Sequence, residues 1–77
     1  MNRDELTALR AEMDYQRALH DFRTASVHLA RALYDASGRS AAWERVVHAA
    51  RRDATDAYAD LENAEAAYDT ATMRRTP

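Results

Sequence analysis

Two heptad-spaced apolar stripes in this chain mirror each other about one point, and that symmetry restricts it to one kind of fold. Setting each residue i against residue 79−i produces nine apolar layers. They are Ala8/Ala71, Ala11/Tyr68, Tyr15/Ala64, Ala18/Leu61, Phe22/Ala57, Ala25/Ala54, Leu29/Ala50, Ala32/Val47 and Ala36/Trp43. Every layer contains an alanine, and none contains two large side chains. Within each stripe the spacing alternates between three and four residues, as a left-handed coiled-coil seam requires. Large residues set over small ones let two backbones approach closely and fill the volume between them. The fold expected is therefore all-α: an antiparallel two-helix hairpin with an alanine-rich coiled-coil seam.

Local signals place the elements. The first helix is expected over about residues 3–36. Asn2 stands at the N-cap, with Glu5 three residues later in capping-box register. Ser37-Gly38-Arg39-Ser40 is the turn: Gly38 suits a left-handed helix end and Ser40 can cap the second helix. That second helix is expected over about 41–73, with Arg74 and Arg75 complementing its C-terminal dipole and Pro77 ending the chain. No segment alternates as a strand does. Residues 1–77 form a single domain on this reading.

The seam does not use all the apolar residues of the first helix. Leu19 and Leu33 lie beside it, and Leu6, Leu9, Met13, Val27 and Tyr34 lie further round. Only a narrow strip is charged, with Arg10, Arg17 and Arg31 next to Asp14, Asp21 and Asp35 in i,i+4 spacing, which reads as a solvated face. A small domain with a core half made of alanine gains stability by associating. The expected assembly is a homodimeric four-helix bundle with the first helix at its centre, using Leu6, Leu9, Met13, Leu19, Val27, Leu33 and Tyr34 as the interface. The second helix is unevenly charged: Arg39, Arg45, Arg51 and Arg52 precede a run of acidic residues. Those four arginines would make the hairpin tip basic and suit it to contact an acidic partner.

Composition excludes several classes. There is no cysteine, hence no disulfide or thiolate metal site. A net charge of −2 argues against general affinity for nucleic acid or anionic membranes. No apolar run is long enough to span a bilayer, and Met1-Asn2-Arg3-Asp4-Glu5 lacks the features of a signal peptide, so a cytoplasmic location is expected. The chain has no Lys and no Ile but 18 Ala and 11 Arg, a usage that points to GC-rich coding DNA of a bacterium or phage. His20, His28 and His48 do not share a face with paired carboxylates, and no Gly-rich loop or Ser/His/Asp set is present. No metal, cofactor or catalytic residue is expected. His20 sits between Met13 and Val27 and would be a polar residue at the dimer contact.

Two resemblances bear on function. Leu6-Thr7-Ala8-Leu9-Arg10-Ala11-Glu12-Met13-Asp14 resembles the first helix of AroQ-type chorismate mutases, which read L-x-x-L-R-x-x-I-D. That resemblance implies Arg10 as a ligand for a substrate carboxylate. The family's downstream Arg, active-site Lys and third helix have no counterpart here. In size and hairpin architecture the chain is also similar to the WXG superfamily of secreted helical hairpins. Tyr58-Ala59-Asp60-Leu61-Glu62 fits that family's Y-x-x-x-[DE] export pattern, while the Trp-x-Gly turn is absent because Gly38 precedes Trp43. The residues themselves point to a non-catalytic, self-associating hairpin that acts by binding another protein.

Overall fold

The computed structural model describes residues 3–74. It consists of two helices, α1 (Arg3–Ala36) and α2 (Ala41–Arg74), packed antiparallel into a hairpin. Each helix contains 34 residues and the molecule measures 59 × 14 × 13 Å. The expected capping by Asn2 and the roles expected of Arg75 and Pro77 lie outside the described residues.

The turn forms as its residues suggest, with one addition. Gly38 is left-handed at φ 74°, and Arg39 follows it into the same region at φ 64°. The Arg39 N–H donates to the Tyr34 carbonyl at 2.9 Å, and the Ser37 N–H donates to Leu33 at 2.9 Å, which satisfies carbonyls of the last turn of α1. Ser40 caps α2: its Oγ accepts from the Trp43 N–H at 3.3 Å. Ser37 ties the turn together, because its Oγ donates to the Tyr34 carbonyl and accepts from the Ser40 N–H.

α2 presents the stripe expected of it. Val47, Ala57, Leu61, Ala64 and Ala71 are buried, and Trp43, Ala50, Ala54 and Tyr68 are half-buried in the same series. α1 does not. Ala8, Ala11, Tyr15, Ala18, Phe22, Ala25, Leu29, Ala32 and Ala36 are all exposed. The residues that α1 turns inward are Leu6, Leu9, Met13, Gln16, His20, Arg23, Val27, Ala30 and Tyr34, again spaced alternately by three and four. The cross-helix contacts fix this register. Arg23 reaches Asp53 at 3.9 Å, and the His20 and Tyr58 rings lie 5.5 Å apart. Residue i therefore stands opposite residue 77−i, not 79−i.

That shift of two positions rotates α1 by about 200°, which exchanges its inner and outer faces. Both registers set large side chains over alanines of α2. In the observed one, Leu6 meets Ala71, Met13 meets Ala64 and Val27 meets Ala50. Volume matching alone favours the 79−i register, because the observed one also sets Leu9 against Tyr68, Gln16 against Leu61 and Tyr34 against Trp43. The observed register goes with the short left-handed link at Gly38 and Arg39, and Tyr34 and Trp43 are both half-buried on either side of that link.

Candidate functional site

The rotation of α1 redistributes the residues assigned to association. Leu6, Leu9, Met13, Leu19, Val27 and Tyr34 are half-buried, on or beside the face that meets α2. Leu33 stays 37% exposed on a shoulder of the helix. The interface expected from these seven is thus largely consumed inside the hairpin. His20 moves inward with them and packs its ring against Tyr58 at an interplanar angle of 53°. Arg23 is half-buried and carries its guanidinium out towards Asp53.

In exchange, α1 presents a second heptad-spaced stripe to solvent. Tyr15 is 61% exposed, and Phe22 and Leu29 are 62% exposed. Alanines 8, 11, 18, 25, 32 and 36 fill the intervening positions and are exposed too. The stripe runs the length of α1, with one heptad column bulky at its centre and the other entirely alanine. Beside it, the Arg23 guanidinium stands 5.8 Å from the Phe22 ring centroid. A surface of this kind is suited to receiving another helix and carries no reactive group.

The charged strip beside it pairs differently from the i,i+4 expectation. Arg17 reaches back to Asp14 at 3.8 Å, and Asp35 is approached by Arg39 at 4.0 Å. Helical side chains lean towards the N-terminus, so an arginine reaches the acid that precedes it more readily than the one after it. All four groups are mainly exposed, and such pairs contribute little to stability.

At the tip, Arg31, Tyr34, Asp35 and Arg39 of α1 and the turn face Glu44, Val47, His48 and Arg51 of α2 across an open cleft of about 210 Å³. Of the four tip arginines, Arg39 and Arg51 line this cleft, while Arg45 and Arg52 are exposed outside its lining. Arg31, which the linear charge pattern left out, joins them. Asp35 and Glu44 balance part of the positive charge, and His48 lies 3.8 Å from Glu44. Arg10 is exposed on α1 and does not line the cleft. On α2, Tyr58 donates to Glu62, and that hydrogen bond and the Glu62 charge raise the phenol above its ordinary value of 10.0; slight burial and Glu65 add to the effect. Among the described residues, no group of three or more His, Asp or Glu is placed to hold a metal ion, and no helix is long and apolar enough to cross a membrane.

The sequence signal for the outer stripe was present and strong, since these are the very residues that satisfy the 79−i pairing. Gln16, His20 and Arg23 gave no apolar signal, and only the paired heptad columns containing Met13, Val27, Leu9 and Ala30 could have placed them inside. The chain matches no family model, and neither a curated protein nor a solved structure is significantly similar to it.

Proposed function

We propose that this chain is a non-catalytic protein–protein interaction module, a self-associating helical hairpin that works by offering α1 to other helices. The observation that carries this reading is the outer stripe, with Tyr15, Phe22 and Leu29 each more than half exposed at seven-residue intervals. Surfaces that expose contiguous apolar area of this length mark interaction sites, and a row of heptad-spaced anchors on one helix face is how helices recognise helices. The hairpin itself is thinly cored. Among the described residues the buried side chains are Ala30, Val47, Ala57, Leu61, Ala64 and Ala71, so most are alanine. An adaptor, a regulator or a small inhibitor would use such a surface in the same way, by covering a complementary helix.

The test is photo-crosslinking in cells that express the chain. A benzophenone side chain placed at Phe22 should form covalent protein adducts, whereas the same group at exposed Arg52 of α2 should not. Absence of any adduct from position 22 would refute the reading.

A further inference from the structure

We infer that the outer stripe of α1 is covered by a second copy of this chain, with the two α1 helices antiparallel. The inference rests on the interaction-module reading above and names its partner and geometry. Three observations carry it.

The first is area. The chain exposes 5749 Å², whereas a compact folded monomer of 8.7 kDa exposes about 4,700 Å². Its radius of gyration is 17.3 Å, against roughly 11–12 Å for a compact domain of this length. The surplus of about 1,000 Å² is close to the ~800 Å² that each partner loses in a standard interface. A stripe about 50 Å long and one helix wide offers that much surface.

The second is shape. In an antiparallel pair, one heptad column faces the other column of the partner helix. Tyr15, Phe22 and Leu29 of one copy then fall over Ala25, Ala18 and Ala11 of the partner. Sliding the pair by one heptad sets the same three over Ala32, Ala25 and Ala18. Both registers give a large residue on an alanine in these layers, the pairing that Leu6/Ala71, Met13/Ala64 and Val27/Ala50 use within the hairpin. A parallel pair would instead stack Tyr15, Phe22 and Leu29 on their own copies and leave alanine facing alanine between them. Shape therefore selects the antiparallel arrangement.

The third is position. The outer stripe lies about 200° round α1 from the seam. Two copies joined through it would place both α2 helices on the outside, in a flat row α2–α1–α1–α2. α1 stays at the centre, as in the four-helix bundle expected from the sequence, but it associates through the outer stripe and not through the residues beside the seam.

Two measurements test this. Light scattering over a concentration series should give twice 8.7 kDa for the wild type and 8.7 kDa for Phe22→Asp. A wild-type monomer up to millimolar concentration would overturn the inference and the self-association in the reading above, while leaving the binding of other proteins to the crosslinking test, where the adducts would then contain only other proteins. A dimer that persists in Phe22→Asp, or a wild-type mass above that of a dimer, would also overturn it. The second measurement does not depend on a variant that could unfold. The chain has no cysteine, so a spin label at Arg10→Cys, outside the stripe, reports one inter-copy distance. The antiparallel arrangement places the two labels about 30–40 Å apart along the helix axis. A distance below about 20 Å would mean parallel helices and would refute the geometry.

Discussion

Replacing Gln16 with leucine should stabilise the hairpin, and the size of the effect is set by the surroundings of the amide. Gln16 occupies the seam of α1 in the layer opposite Leu61. Its Nε2 donates to Glu12 at 2.8 Å, but its Oε1 is buried with no hydrogen-bond partner. An unsatisfied buried acceptor costs about 1–3 kcal/mol, and the exposed bond to Glu12 returns about 0.5 kcal/mol. Leucine removes the unsatisfied oxygen and adds apolar contact, while helix propensity barely changes. The expected gain is about 1–2 kcal/mol. For a chain of this length each kcal/mol corresponds to about 4–8 °C in melting temperature. Thermal and urea unfolding followed by circular dichroism at fixed protein concentration would measure it, since association makes stability depend on concentration. Arg17→Leu, one position along on exposed surface, is the control and should change stability by less than about 0.5 kcal/mol. A neutral or destabilising Gln16→Leu would refute the placement of Gln16 in the seam.

Three further outcomes are expected. Arg39→Gly should stabilise by about 0.5–1 kcal/mol in urea unfolding, because it relieves a left-handed non-glycine residue at the cost of some chain entropy; the exposed Asp35 contact it removes contributes little. Val27→Asp should cost more than about 2 kcal/mol and lower helicity, since it sets a carboxylate against Ala50, whereas Phe22→Asp should leave hairpin helicity intact at high concentration. Tyr58 should ionise above the ordinary tyrosine value, and Glu62→Gln should lower its midpoint, read as the ultraviolet difference between each protein and its Tyr58→Phe version. Because the folded value is raised, the stability that Tyr58 contributes is fully present below its unfolded value and is lost as pH rises through the folded one.

The hairpin was legible because its signals agree across levels. Uninterrupted helical periodicity, one glycine in one turn and a serine cap left no competing topology, and α2 carries a single apolar stripe. α1 was ambiguous for a physical reason. It carries two stripes of the same heptad spacing on nearly opposite faces, and each sets some bulky side chains over alanines of α2. The 79−i pairing makes every layer apolar and so points to the stripe through Tyr15, Phe22 and Leu29, whereas the other stripe is interrupted by Gln16, His20 and Arg23. The hairpin accepts those three since a two-helix seam is shallow. Arg23 reaches Asp53 from it, and His20 finds the Tyr58 ring. The left-handed conformation of Arg39 had no signature in the sequence, because arginine is not a residue that favours positive φ. The cleft at the tip was half legible, in Arg39 and Arg51, because charge read along the chain could not bring Arg31 across from the other helix.

Everything about the interaction surface depends on which face α1 turns towards α2, and nuclear Overhauser contacts of the Tyr68 ring report that directly. Tyr68 sits in the α2 seam, opposite Leu9 in the observed register and opposite Ala11 in the alternative. These two residues lie on opposite sides of α1. The account predicts contacts from the Tyr68 ring to the Leu9 methyl groups, with Ala57 contacts to the His20 ring at the middle of the hairpin. Contacts from Tyr68 to Ala11 and from Ala57 to Phe22 would contradict it, and would return the outer stripe to the core.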